Sequence, residues 1–174
     1  MADRLHSLRN LPALSRIRRN HGLEHATIHI LSQQFPNRRF IGRSNTQGFF
    51  LYGDVPAGVL ETAVQEALRR LHQGERQLAI HPNCGTNLVT SAMLAGAASF
   101  FTLMGSEREH WRRRVERLPL AIAATLFALI VSQPVGRSVQ QHITTQGDPE
   151  QLEVVSIQRV HNHLNPVYHI RTKN

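Results

Sequence analysis

The sequence predicts an α+β fold, in which a small α/β metal-site domain is joined to a two-helix apolar hairpin that spans a membrane. Three observations predict it. Apolar residues are sparse before residue 86 and dense between Leu88 and Val131. Helix-like and strand-like periods alternate through the sparse part. Histidines and the lone cysteine, Cys84, gather in two short motifs at its two ends. The expected organisation is a metal-site domain over 1–86, the hairpin over 87–136, and a polar tail over 137–174 that packs on the first domain. A chain of 174 residues is long enough for one real core.

The elements follow in order. Leu5, Leu8, Leu11, Leu14 and Ile17 recur every third residue, which suits a docking helix. Arginines interrupt that stretch, so it does not read as a secretory signal. Ser15 to Gln34 has helical character and Pro36 stops it. Arg38 to Asp54 carries Phe40, Ile41, Phe49, Phe50 and Leu51 around the turn Ser44-Asn45-Thr46-Gln47-Gly48, the pattern of a β-hairpin. Pro56 opens a second helix, where its missing N–H costs nothing. Val59, Leu60, Ala63, Ala67, Leu68 and Leu71 form its apolar stripe, and Gly74 ends it. Gln77 to Ile80 reads as a short strand, so strand, helix and strand suggest an α/β unit.

His81 to Thr86 is a turn-rich loop. Asn87 to Gly105 is nearly uncharged and close to the length a bilayer requires. Glu107 to Arg117 is a charged break. Leu118 to Val131 is a second apolar run, short of a full span and ended by Pro134. Transmembrane helices are the preferred reading; the alternative is a hairpin buried in a soluble core or inserted at a membrane surface. Small residues at 92 and 95–98 permit close helix approach in either case. The tail contains a possible helix over Ser138 to Ile143 and the turn Gly147-Asp148-Pro149. Leu152 to Val160 fits helix or strand, and Tyr168 to Arg171 fits a last strand.

Hydrophobic residues make up 41% of the chain and the net charge is +8, almost all of it arginine. Such a balance favours anionic lipid headgroups, RNA or acidic protein surfaces, and it also orients membrane proteins. One Trp and two Tyr give no aromatic ladder among the arginines, so nucleic acid is disfavoured. Membrane and complex partners are expected, with the oligomeric state open. A single cysteine excludes an internal disulfide framework.

The first motif is Asn20-His21-Gly22-Leu23-Glu24-His25. His21 and His25 stand one helical turn apart on one face, a spacing at which two imidazoles can grip zinc. Glu24 lies beside them, in the inverted-zincin order His-x-x-Glu-His, where a carboxylate can take a proton from metal-bound water. The rival reading is a polar helix face bonded to backbone or water. His29 extends the face, as a further ligand or as a satisfied histidine near a helix end. His72, His110, His161 and His163 have no partner pattern and read as surface or capping residues. The second motif is His81-Pro82-Asn83-Cys84-Gly85-Thr86. Its His-x-x-Cys spacing lets both side chains reach one ion, and a thiolate is the soft ligand zinc prefers. Alternatively, Cys84 is a small buried hydrophobe or a nucleophile with a histidine base. Together His21, His25, His81 and Cys84 are the expected metal ligands and Glu24 the expected catalytic base. Four bound ligands would close the site and make it structural; three would leave a position for water.

These segments resemble the YqhQ-type family of bacterial membrane proteins. His21 to Ile28 is similar to that family's His-Gly-x-Glu-His-x-Thr-Ile. His81 to Asn87 is similar to its His-x-x-Cys-Gly-Thr-Ser/Asn before an apolar helix. Pro134-Val135-Gly136, Gln140, Thr144-Thr145 and Leu152-Glu153-Val154 resemble its ending. The region Arg38 to Ile80 is longer than in that family and the apolar portion shorter. The resemblance implies a membrane-embedded metal-site protein and supplies no substrate. The functional expectation is therefore a zinc-binding membrane protein, with a metal-dependent hydrolase using Glu24 as one reading. The other is a non-catalytic zinc-stapled scaffold or accessory subunit of a membrane or ribosome-associated complex. The expected location is an inner or other integral membrane. The metal-site domain is placed in the cytoplasm, where a lone thiol stays reduced.

Overall fold

Residues 12–104, 111–161 and 166–173 are described in a computed structural model. Leu5, Leu8 and Leu11 of the expected docking helix, and His110 and His163, lie outside them. The chain divides into two compact units, one of residues 1–81 with 141–174 and the other of residues 82–140.

In the first unit, α1 runs Pro12–Gln34. From Arg19 to Leu31 nearly every residue is buried, polar ones included. Helix α2 (Ala57–His72), strands β1 (Ile41–Asn45) and β2 (Gly48–Tyr52), and a 3₁₀ turn at Arg76–Ala79 pack around α1. This helix is therefore a central pillar, which explains how histidines and a glutamate come to be enclosed.

The β1–β2 hairpin forms where the sequence places it. The Gln47 N–H donates to Asn45 Oδ1 at 2.8 Å across the turn. Gly48 has φ +142°, and a Cβ there would stand 1.9 Å from the Ile170 carbonyl oxygen, so only glycine fits. The tail does more than pack on this unit. Its strands β3 (Glu153–His161) and β4 (Val167–Lys173) complete an antiparallel sheet in the order β1-β2-β4-β3. Phe49 pairs with Ile170 and Leu51 with Tyr168 in register. One sheet face meets the helices through Phe49, Leu51, Tyr168 and Ile170, and joins Leu23, Leu31, Leu60 and Val64 in one core. Burying a side chain of this kind contributes about 1.5–3 kcal/mol. The Tyr168 hydroxyl donates to the Val55 carbonyl at 2.7 Å, so its polar end is satisfied.

Two expectations for this unit are corrected. Leu152 to Val160, open between helix and strand, is strand from Glu153. Gln77 to Ile80 is not a strand; Arg76–Ala79 forms the 3₁₀ turn, so no strand-helix-strand unit exists there. A turn buries Leu78 and Ala79 on the same side, which an extended segment with alternating sides cannot do.

The second unit contains α3 (Gly85–Leu103), the short α4 (Trp111–Glu116) and α5 (Leu118–Val139), the last prolonged by a π turn at Gln140–Thr144. Pro134 does not end α5, which runs on through it. The helical stretch Leu118–Thr144 is therefore 27 residues long. It and Gly85–Leu103 are both long and apolar enough to cross a membrane, and only 11% and 6% of their apolar windows are buried. Within the hairpin, Ser91 and Ser132 hydroxyls lie 2.7 Å apart, as do those of Ser99 and Thr125. The helices come close at Gly136, where a Cβ would stand 2.5 Å from Asn87 Oδ1, whereas Gly96 has open space beside it.

Candidate metal centre

Four imidazoles form a row in the first unit. The His21 and His25 rings are 4.3 Å apart, centroid to centroid, as their one-turn spacing on α1 dictates. His81 follows the 3₁₀ turn, with its ring 5.8 Å from His25 and 4.9 Å from His29. His25 is buried, and His21, His29 and His81 are half-buried.

Backbone carbonyls set the tautomers. His21 Nδ1 is 3.0 Å from the Thr144 carbonyl oxygen, and His25 Nδ1 is 2.7 Å from that of Ala79. A carbonyl only accepts, so each Nδ1 carries the proton and donates. The lone pair of each ring is then on Nε2, as in metal-ligating histidines whose other nitrogen is tied to a carbonyl. His29 is held the other way round. Its Nε2 donates to the Ile80 carbonyl at 2.9 Å, which leaves the lone pair on Nδ1. Burial and the neighbouring His29 and His25 push the His81 imidazole down to about 4, so it is neutral near pH 7.

Cys84 is 8% exposed and caps the N-terminus of α3. The Thr86 N–H donates to its Sγ at 3.4 Å. Cys84 belongs to the second unit, while His81 stands beside His25 and His29 in the first.

Glu24 is 4% exposed and faces β1. Ser44 donates its hydroxyl to Glu24 Oε2 at 2.5 Å. A Cβ at Gly42 would lie 2.1 Å from Oε1, so the carboxylate rests on the bare glycine backbone. Burial raises the Glu24 carboxyl above its ordinary value, although the Ser44 hydroxyl and the neighbouring His21 imidazole pull the other way. Sequence reasoning missed Ser44, Gly42 and the carbonyls of Ala79, Ile80 and Thr144. A glycine or serine in a strand carries no mark of the helix it meets, and backbone carbonyls have no sequence signature at all. His72, read as a surface residue, is exposed on α2.

Comparison with known proteins gives a family without an assigned role. A domain of unknown function, DUF6391, matches residues 16–157. An uncharacterized protein of Picosynechococcus sp. is 36% identical over 142 residues, covering 74% of this chain and 65% of its own length. The chain thus spans about two thirds of the curated relative it matches. No solved structure matches.

Proposed function

The chain belongs to the DUF6391 family, and from that premise we propose that it is a membrane-anchored zinc protein. His21, His25 and Cys84 hold the ion, and the two apolar helices hold the chain in a bilayer. The observation that carries the metal reading is the shared tautomer of His21 and His25. Both donate Nδ1–H to backbone carbonyls, which leaves Nε2 as the accepting nitrogen, and the His-x-x-Cys motif supplies the thiol. Two nitrogens and a sulfur suit zinc, and three protein ligands leave a fourth position open. The single thiol suits a cytoplasmic setting for the metal-site domain.

The open position favours a hydrolytic role, because zinc brings the pKa of a bound water to about 7. Glu24, raised by burial and held by Ser44, is the general base of this reading. The second reading is a structural staple, with His81 as the fourth ligand. It is favoured by His81 standing next to His25 and being neutral near pH 7.

Metal analysis of the purified full chain tests the common premise. About one zinc per chain is expected, lost in Cys84→Ser and in His25→Ala; a metal-free native protein sinks both readings. Glu24→Gln then separates them. In the hydrolytic reading it keeps zinc and loses whatever hydrolysis the native protein supports. In the staple reading it is silent, while a chelator unfolds the domain.

A further inference from the structure

The helices of the first unit pack against one face of the sheet, and the other face has a character of its own. Gly42 and Ser44 of β1 turn inward to Glu24, and Phe49, Leu51, Tyr168 and Ile170 enter the core. Side chains alternate along a strand, so Arg43, Phe50, His169 and Arg171 stand on the outer face. Register places Arg43 beside Phe50, Phe50 beside His169 and His169 beside Gln158, in one row across all four strands. The Phe50 and His169 rings stack with centroids 4.2 Å apart and planes 9° from parallel. Exposed Tyr52 lies two residues farther along β2, on the same side. Arg171 stands opposite Gly48, whose missing side chain leaves it room.

Charge on this face is one-sided. Arg43 and Arg171 are exposed and make no ion pair among the described residues. The carboxylate among the described outward positions is Glu153, which Lys173 neutralises at 2.9 Å. Partial burial and then the Arg171 charge hold His169 below 6.5, so its ring is neutral near pH 7. Rings and arginines that are scattered along the chain thus become neighbours across the strands. The aromatic ladder that the sequence lacks is assembled by the sheet. An acidic protein patch would meet the arginines and leave the flat rings without a role. A nucleotide has a phosphate for the one and a base face for the other.

We propose that the outer face of the sheet binds single-stranded nucleic acid. Bases lie against the Phe50–His169 pair and Tyr52, phosphates meet Arg43 and Arg171, and the Gln158 amide offers hydrogen bonds to a base edge. Binding tolerates many sequences, because every base has a flat face. It requires neither a metal nor hydrolysis, so it stands or falls apart from the zinc reading.

The test titrates the detergent-solubilised full chain into a short single-stranded oligoadenylate carrying 2-aminopurine, a fluorescent base that dims when it stacks. The wild type is expected to bind at low salt and to quench the probe. Phe50→Leu keeps an apolar side chain but removes the flat ring. With native circular dichroism, it should bind about tenfold more weakly, the loss of one stacked base, and quench less. Tyr52→Leu, at an exposed position, gives the same comparison should Phe50→Leu fail to fold. Arg43→Ser should lower the slope of log affinity against log salt by about 0.7, the share of one phosphate on a single strand. Arg69→Ser, on α2, removes the same charge away from this face and should leave affinity and slope unchanged. Equal losses from the two arginine variants, or binding without quenching, overturn the proposal, since net charge alone would then attract the strand. Wild-type affinity in both Phe50→Leu and Tyr52→Leu overturns it as well. So does a polyglutamate that binds as tightly as the oligoadenylate, which would make the face a dock for acidic proteins.

Discussion

In the first unit Leu23, Phe49, Leu51 and Ile170 are wholly enclosed, whereas in the hairpin Leu88, Phe101, Phe127 and Ile130 are 73%, 69%, 68% and 71% exposed. The first unit buries its apolar surface against itself, helix on sheet, and does so well enough to enclose a glutamate and a histidine as well. The hairpin has equally apolar side chains and turns them outward. Its internal contacts are small or polar instead: Ser91 with Ser132, Ser99 with Thr125, and Asn87 against Gly136. Between helices in lipid there is no hydrophobic gain to be had, and small residues and hydroxyl pairs take over the role of glue. The contrast separates two kinds of apolar residue that composition alone treats alike.

The largest effect should come from trading one aromatic against another across that divide. Phe49→Ala empties a filled site and should destabilise the first unit by about 3–5 kcal/mol in chemical unfolding. Phe127→Ala should leave that transition where it is, because its ring meets no core. Phe127→Arg should instead weaken vesicle association, since arginine near a helix centre costs about 2.5–3.5 kcal/mol on insertion. Equal unfolding losses from the two alanine variants, or undiminished flotation of Phe127→Arg with vesicles, would erase the distinction.

Glycines sharpen it at the next scale. Gly22→Ala drives a Cβ to 2.2 Å from the Gln146 carbonyl oxygen, a backbone atom that cannot swing aside. Overpacking of this sort costs about 1–3 kcal/mol. Gly96→Ala meets nothing within 4 Å and sits inside α3, so helix propensity alone applies and favours alanine by up to about 1 kcal/mol. Thermal midpoints should move in opposite directions, down for the first and level or up for the second. A fall for Gly96→Ala would mean that α3 has a close neighbour there.

How legible these features were depended on how local their causes are. Pro36 and Gly74 stop helices through their own backbone chemistry, and the β1–β2 turn is written in Asn45 to Gly48, so each was readable. The apolar runs at Asn87 and Leu118 were readable for the same reason. The 3₁₀ turn at Arg76–Ala79 was not, because its shape is imposed by the core that Leu78 and Ala79 enter. The passage of α5 through Pro134 was also hidden, since proline weakens a helix without being able to forbid it. At the site, the one-turn spacing of His21 and His25 is intrinsic to a helix. The tautomers are not, because they are assigned by the carbonyls of Ala79, Ile80 and Thr144. The opposite setting of His29 therefore had no trace in the sequence.

The smallest effect concerns pH and the outer face of the sheet. There His169 stacks on Phe50, with centroids 4.2 Å apart and planes 9° from parallel. Partial burial and then the Arg171 charge hold the His169 imidazole below its usual value of 6.5. The unfolded chain therefore takes up this proton first as the pH falls. Stability from this residue is complete above pH 6.5 and declines below it, levelling off once the folded form is protonated too. His169→Phe keeps a flat ring beside Phe50 and removes the titration. The variant should match the wild type above pH 7 and lose less stability between pH 6.5 and 5. The difference should be slight, because a single half-buried imidazole is involved. Parallel stability profiles for the two proteins would mean that the stack tolerates a charged imidazole, and that the first unit's acid sensitivity lies with its enclosed groups alone.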